Sequence, residues 1–219
     1  MTAADVCARI QGIGILPGIR VPGAEDALFT ASEMYRCGIP VVELTMTVPG
    51  ALGVLKQLRR DTPKMVVGAG TVLDIDTARA CIDAGAQFIT SPGLNRELVE
   101  FTRDNGICAI PGALSPSEIM AAVQAGADMV KLFPCAQVGG PEYIRALRAP
   151  FPSVPFIASG GVNQQTAGEF IRKGASALGI RGELIPPQAI ERRDQNWIGE
   201  LAGRFLAIVR RAREESGVA

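Results

Sequence analysis

One lysine in this sequence has surroundings that favour chemistry. Lys131 stands in the run DMVKLFP at 128–134, with two apolar neighbours on each side, whereas the other lysines, Lys56, Lys64 and Lys173, lie in polar helical patterns. An ammonium without a partner in apolar surroundings costs several kcal/mol or gives up its proton. We therefore expect a partly neutral amine that can attack a carbonyl carbon. The alternative is a lysine at a strand end whose charged head reaches water.

The composition limits which other groups can take part. The chain has no histidine, which excludes Ser-His and Cys-His nucleophile pairs and imidazole metal sites. Proton transfer then falls to carboxylates, lysine, tyrosine, cysteine or water. The five cysteines are widely spaced and include no CxxC pair, so we expect free thiols rather than disulfides or a zinc site.

Charge and hydropathy indicate the partners and the compartment. The formal net charge is zero and no long run of like charge occurs, so we expect a small-molecule partner and neither nucleic acid nor a membrane. The first residues lack the layout of a signal peptide, and no apolar run reaches transmembrane length. These features predict a cytoplasmic protein.

A helical stretch that ends in glycine and is followed by an apolar run recurs along the chain. The runs IPVVEL, AQFIT, ICAI, ADMVKL and ASALGI follow Gly38, Gly85, Gly106, Gly126 and Gly174. With three more apolar runs, at 14–19, 65–69 and 155–158, they make eight candidate strands. Apolar strands that alternate with helices predict a parallel sheet covered by helices. We predict a (β/α)₈ TIM barrel rather than an open doubly wound sheet, because no GxGxxG loop follows the first strand.

The whole chain, 1–219, is predicted to be a single domain. A leading helix occupies 1–12, the barrel 13–186 and a helical extension 187–219. Asp74, Asn95, Ser115 and Asn163 are predicted to begin helices; Ser115 does so with a capping box. In the extension, Trp197, Leu201, Phe205 and Ile208 form an apolar stripe that we expect to pack on the barrel, with its arginines mostly in solvent.

The repeated glycines allow heights on different strands to be compared. The fifth residue after each glycine gives Glu43, Thr90, Lys131 and Gly179 on alternate strands, which share one interior layer in an eight-stranded barrel. Glu43 and Lys131 come from the second and sixth strands, opposite each other, and Gly179 leaves room between them. Active sites of this fold lie at the carboxyl ends of the strands. A buried structural ion pair is the alternative to a catalytic pocket.

The chemistry of this pair would be covalent. Lys131 would attack the keto carbon of a 2-oxo acid and form an iminium, an electron sink that lets the neighbouring carbon–carbon bond break. Glu43 would move the protons. Thr45, Thr71 and Ser91, at strand ends, are suited to a carboxylate or hydroxyls, although such side chains are more often structural.

Six motifs in order resemble one family of enzymes. VVELTMT (41–47), VVGAGTVLD (66–74), AQFITSPGLN (86–95), IPGALSPSEI (110–119), VKLFPC (130–135) and FIASGGV (156–162) resemble 2-keto-3-deoxy-6-phosphogluconate (KDPG) aldolases and their relatives that act on 4-hydroxy-2-oxoglutarate (KHG) or on the galactonate epimer. The resemblance covers about residues 10–186. It implies a class I aldolase of the Entner-Doudoroff pathway, a homotrimer that uses no metal and no organic cofactor.

The resemblance also implies roles for individual residues. The Schiff-base lysine falls on Lys131 and the catalytic glutamate on Glu43. The set expected to bind substrate comprises Arg20, Thr71, Pro92 and Phe133, and, on the two loops expected to bind phosphate, Ser159, Gly160, Gly161, Arg181 and Gly182. Two positions depart from the family: Thr47 replaces an arginine that holds the pyruvate carboxylate, and Gly182 replaces a phosphate-binding serine.

Two other functions remain possible from the sequence. A phosphosugar isomerase, epimerase or synthase could use the same barrel, but it would not need a lysine opposite a glutamate. A barrel that binds sugar phosphates without catalysis is the other, and the presence of both Glu43 and Lys131 argues against it.

Overall fold

Nine short parallel strands form one sheet. The structure is a computed structural model that describes residues 1–217, so the last two residues of the predicted extension lie outside the described part. The strands are β1 (Ile15–Ile19), β2 (Val41–Thr45), β3 (Val66–Gly70), β4 (Phe88–Thr90), β5 (Cys108–Ile110), β6 (Gly112–Ala113), β7 (Val130–Leu132), β8 (Phe156–Ser159) and β9 (Ala177–Ile180).

The sheet closes into a barrel at β5 and β6. These strands are two halves of one stretch, separated by Pro111; β5 pairs with β4, and β6 pairs with β7. The Pro111 carbonyl accepts a hydrogen bond from the Lys131 amide at 2.9 Å, so the ladder continues across the break. The predicted (β/α)₈ barrel is therefore confirmed, and β7, β8 and β9 correspond to the sixth, seventh and eighth predicted strands.

Helices follow the strands around the outside. They are α1 (Ala3–Ile13), α2 (Ala24–Arg36), α3 (Ala51–Asp61), α4 (Ile75–Asp83), α5 (Arg96–Asp104), α6 (Pro116–Gln124), α7 (Pro141–Arg148), α8 (Ala167–Arg172), α9 (Pro187–Glu191) and α10 (Gln195–Ser216), with a 3₁₀ turn at Cys135–Val138. No helix in the described range is long and apolar enough to cross a membrane.

Three of the four predicted helix starts are confirmed. The side chains of Asp74, Asn95 and Ser115 each accept a hydrogen bond from the backbone amide three residues later in the chain. Ser115 also forms the reciprocal capping box with Glu118. The start predicted at Asn163 is wrong. Its side-chain oxygen accepts from the amides of Gln165 and Thr166 within a turn, and α8 begins only at Ala167.

The C-terminal extension differs from its predicted pattern in two ways. It is broken at Arg193, whose φ of 52° ends α9, and Asp194 then caps α10. This start rotates α10 so that Trp197 is 37% exposed and Ile198 faces the barrel instead. The expected packing of Trp197 is therefore wrong. The buried stripe of α10 consists of Ile198, Leu201, Ala202, Phe205, Val209 and Ala212.

Two arginines of the extension hold structure together rather than lying free in solvent. Arg193 pairs with Asp26 and Glu25 and lies over the Phe29 ring, 4.6 Å from its centre. Arg213 donates hydrogen bonds to backbone carbonyls in the last turn of α1 and to the carbonyl just before β9. The expectation of a mostly solvated face holds for the exposed Arg192, Arg204, Arg210 and Arg211.

Candidate active site

Lys131 and Glu43 lie in direct contact inside the barrel. The Lys131 Nζ donates to both carboxylate oxygens of Glu43, at 2.9 and 3.1 Å. The two residues are only 5% and 3% exposed. β7 and β2 supply them from opposite sides of the ring, as predicted, but the space expected between them is closed by this contact. Lys131 is thus a buried ammonium with a partner, not the isolated one that its apolar neighbours suggested.

Burial and neighbouring charge act on Glu43 in opposite directions. Burial raises the pKa of its carboxyl group, whereas the Lys131 ammonium, the Thr90 hydroxyl and the Arg181 guanidinium lower it. The net effect holds the pKa of Glu43 below its ordinary value. The carboxylate is therefore ionised near neutral pH and can accept a proton when a ligand disturbs the pair.

The absence of a side chain at Gly70 makes room for Glu43. In the parallel register, Glu43 stands between Gly18 of β1 and Gly68 of β3. A Cβ at Gly70, near the end of β3, would lie only 2.4 Å from Glu43 Oε1. Any larger residue at position 70 would displace the carboxylate from Lys131.

Thr90 is the third member of the predicted layer that meets the pair. It ends β4, is 0% exposed, and its hydroxyl faces Glu43 closely enough to lower the carboxyl pKa. The hydroxyl forms no hydrogen bond of normal geometry with any of the described residues. The fourth member, Gly179, lies beside Ser159 instead: a Cβ there would be 2.9 Å from the Ser159 Oγ.

The ends of β1 and β3 meet through Arg20 and Thr71. Arg20 donates to the Thr71 hydroxyl at 3.0 Å, and Thr71 has a φ of 59°, which is rare for a residue other than glycine. Such backbone strain concentrates at functional sites. Thr45 is less available for a ligand, since its hydroxyl contacts the Ile19 carbonyl and the Thr47 hydroxyl.

Arg181 turns inward across the mouth of the barrel. Its Cγ lies 2.8 Å from the position of a Cβ on Gly18, and its guanidinium is 5.8 Å from the centre of the Phe133 ring. Burial and the Arg181 charge lower the pKa of Arg20, partly offset by Glu43, so the two arginines repel each other. Neither forms an ion pair within residues 1–217. Two such cations favour an anion between or beside them.

Two cavities meet at Arg181 and Gly182, which line both. One, of about 370 Å³, is lined by Phe133, Ser159, Gly160, Gly161 and Asn163 with Gly179. The other, of about 690 Å³, is lined by Gly18, Arg20 and the apolar side of α9. Lys131 and Glu43 lie deeper in the barrel and line neither of these two cavities.

The glycine loop after β8 is shaped by contact with the chain after β7. Gly160 and Gly161 have φ values of 87° and 82°, and a Cβ on Gly161 would lie 2.2 Å from that of Ala136. Glycine at both positions follows from this geometry. Because α8 has only six residues and starts later than predicted, its N-terminus adds little to anion binding, and Arg181 is the main positive group there.

Ser91 and Pro92 lie apart from the contact between Lys131 and Glu43. Ser91 donates its hydroxyl to the Gly93 carbonyl at 2.7 Å and lies against Leu98 and Val99 of α5, on the outer face of β4. This follows from the alternation of side chains along a strand, because Thr90 already points inward. The Pro92 carbonyl packs over Gly112, where a Cβ would lie 2.3 Å away.

The sequence reasoning missed two glycines and one cation contact. Gly18 and Gly70 make room for Arg181 and Glu43, and a glycine inside a buried strand was the available signal of such close approach. No local sequence pattern indicated that the Arg181 guanidinium lies over the Phe133 ring. Among the described residues, no group of three or more Cys, Asp or Glu side chains could hold a metal ion.

Comparison with known proteins identifies the family. Residues 6–201 match the profile of the KDPG and KHG aldolases. The chain belongs to this family. It is therefore an aldolase, a carbon–carbon lyase.

Individual relatives agree with this assignment. The chain is 34% identical to the 2-dehydro-3-deoxy-phosphogluconate aldolase of Pseudomonas aeruginosa over 176 residues, 80% of each chain. It is 32% identical to the KHG/KDPG aldolase of Escherichia coli, over 86% of this chain and 88% of that one. A crystal structure of KDPG aldolase from Legionella pneumophila, with pyruvate held as a covalent carbinolamine, superposes with a TM-score of 0.85 at 32% identity, covering 92% of this chain and 97% of that one.

Proposed function

We propose that this aldolase cleaves 2-keto-3-deoxy-6-phosphogluconate to pyruvate and glyceraldehyde 3-phosphate through a Schiff base on Lys131. The observation that carries the proposal is the buried contact between the Lys131 Nζ and the Glu43 carboxylate at 2.9 Å. A pair that is only structural gains little, since apolar residues of similar volume are often as stable. The covalent pyruvate adduct of the Legionella relative supports the same chemistry.

Glu43 moves the protons at each step. It takes a proton from the Lys131 ammonium as the keto acid enters, and the free amine adds to C-2. The carbinolamine loses its hydroxyl as water, with Glu43 returning the proton, and an iminium forms. Glu43 then takes the proton of the C-4 hydroxyl while the C-3–C-4 electron pair moves into the iminium. The aldehyde leaves; protonation at C-3 and addition of water release pyruvate and restore the amine.

The remaining groups would hold the two ends of the substrate. Arg20 and Thr71, joined at 3.0 Å beside Glu43, are suited to bind the pyruvate carboxylate. Thr47, which stands where the family has an arginine, offers that carboxylate no positive charge. Phe133, Ser159, Gly160 and Gly161 line the smaller cavity, where Arg181 would hold the distal anion. A carboxylate in place of phosphate would fit the same cation. 4-Hydroxy-2-oxoglutarate, which gives pyruvate and glyoxylate, is therefore our second candidate substrate.

We also propose that the chain acts as a single-domain unit within a homotrimer. The family profile spans the barrel and the start of α10, which supports one domain. Sedimentation equilibrium of the purified protein tests the trimer, since a monomer or dimer mass would contradict it.

Trapping with borohydride tests the mechanism. Pyruvate plus borohydride should add one reduced three-carbon unit to Lys131, located by mass mapping, and should inactivate the enzyme. The exposed Lys56 provides the control: Lys56→Met should be trapped like the wild type, and Lys131→Met should not be trapped. An adduct on Lys56, Lys64 or Lys173, or no adduct at all, would refute the Schiff base.

A further inference from the structure

The Thr90 hydroxyl is a buried polar group that the mechanism above does not use. Its oxygen is fully enclosed and has no hydrogen-bond partner within residues 1–217. Buried polar groups are nearly always paired, and leaving one unpaired destabilises the fold. A valine would fill the same volume without this cost. An unpaired hydroxyl at this position therefore calls for a partner that appears in another state of the protein.

The Glu43 carboxylate is the group that can become this partner. The hydroxyl of Thr90 faces this carboxylate and lowers its pKa without forming a hydrogen bond of normal geometry, while Lys131 occupies both carboxylate oxygens. The resting ammonium has three N–H donors, whereas a protonated iminium has one. When Lys131 bonds to a keto carbon, it can no longer satisfy both oxygens of Glu43. One oxygen is then released beside Thr90.

We propose that Thr90 is a positioning residue for Glu43, donating its hydroxyl to the carboxylate oxygen that Lys131 releases when the iminium forms. This inference rests on the proposed Schiff-base function. The new bond holds one oxygen toward β4 and leaves the other facing the substrate, where the C-4 proton must be taken. When Glu43 is protonated, the same hydroxyl turns and accepts. Thr90 touches neither the substrate nor the reacting carbons.

A pair of substitutions separates this role from a packing role. Thr90→Val removes the hydroxyl and keeps the shape, and Thr90→Ser keeps the hydroxyl. We expect kcat for KDPG cleavage to fall about tenfold to a hundredfold in Thr90→Val, the range of one hydrogen bond to a charged group, with KM changed little. Thr90→Ser should recover kcat to within about threefold of the wild type, since it restores that bond.

The pH profile gives a second readout that packing would not move. The hydroxyl lowers the pKa of Glu43, so its removal lets that pKa rise. Because cleavage needs the ionised carboxylate, the acid limb of kcat/KM should move to higher pH in Thr90→Val and return in Thr90→Ser. The charges that act on Glu43, those of Lys131, Arg181 and Arg20, are unchanged in both variants.

Thermal unfolding provides the matched control. Thr102 of α5 is also buried, but its hydroxyl donates to the Leu98 carbonyl at 2.7 Å. Thr102→Val should lower Tm without changing kcat, whereas Thr90→Val should keep or raise Tm while slowing the reaction. A Thr90→Val enzyme with wild-type kcat and acid limb, or a Thr90→Ser enzyme as slow as Thr90→Val, would overturn the inference.

Borohydride trapping distinguishes a failure of the inference from a failure of the proposed function. If the wild type shows neither cleavage nor an adduct on Lys131, both are wrong. If the wild type reacts and Thr90→Val matches it, only the role of Thr90 is wrong.

Discussion

The two ends of the barrel use their polar groups differently. At the amino ends of the strands, the side-chain Oε1 of Gln87 accepts from Arg59 at 2.8 Å and from the Val67 amide at 3.1 Å, and the Asp128 carboxylate accepts from the Ala109 amide at 2.8 Å. At the carboxyl ends, Arg20 and Arg181 have no anionic partner among the described residues, and the Thr90 hydroxyl has no partner there.

The difference separates stability from reactivity. Side chains at the amino ends bind backbone groups that must be satisfied in any folded barrel. Those at the carboxyl ends keep their charge and hydrogen-bonding capacity, with repulsion between Arg20 and Arg181 and an unpaired hydroxyl at Thr90. Substitutions at the two ends should therefore give opposite patterns of activity and stability.

The largest effect on activity is expected at Glu43. Glu43→Gln keeps the shape and removes the base, so cleavage should slow by about 10²–10⁴-fold, the usual contribution of general acid–base catalysis. Some reduced adduct should still form on Lys131 with pyruvate and borohydride. Steady-state kinetics and adduct mass measure the two effects, and unchanged turnover would reduce Glu43 to a structural partner of Lys131.

A smaller and selective effect is expected at Arg181. Arg181→Ala removes a charge-assisted bond to the distal anion, so kcat/KM should fall about tenfold to a hundredfold for anionic substrates alone. The measurement compares KDPG, its unphosphorylated form and 4-hydroxy-2-oxoglutarate, with Arg192→Ala as an exposed control. Equal losses of kcat/KM on all three substrates, or a preference for the unphosphorylated substrate, would mean that Arg181 does not bind the distal anion.

No effect on activity is expected at Arg213, at the opposite end. Arg213 donates to the carbonyls of Gln11, Gly12 and Ser176, so Arg213→Ala should lower stability by about 1.5–3 kcal/mol. In a chain of this size that corresponds to a Tm lower by roughly 3–12 °C. Arg211→Ala, on the exposed face of α10, should change Tm little. A large loss of kcat in Arg213→Ala would contradict the separation of the two ends.

The sequence predicted the parts of the fold that follow from local patterns. Glycine-ended helices and apolar runs placed each of the eight strands within a few residues, and Ser115 marked a helix start by its box with Glu118. The same glycines brought Lys131 and Glu43 to one layer, because residues at equal height on alternate strands point to the same interior.

What the sequence could not predict depended on contacts between distant segments. The break at Arg193 changes the face of α10 that meets the barrel, and it exposes Trp197. Arg181 could have pointed to solvent; its inward position depends on the missing side chain of Gly18 and on the Phe133 ring.

The closure of the sheet at Pro111 makes the contact between Lys131 and Glu43 a property of the whole ring. Lys131 and Glu43 belong to strands on opposite sides, so their separation is set by the circumference of the barrel rather than by the loops that join strands to helices. The loops carrying Gly160 and Arg181 can then change in length or charge while the carbon–carbon chemistry stays in place. If the proposed mechanism holds, the reaction centre is fixed by the barrel, and the residues at its rim set which keto acid is admitted.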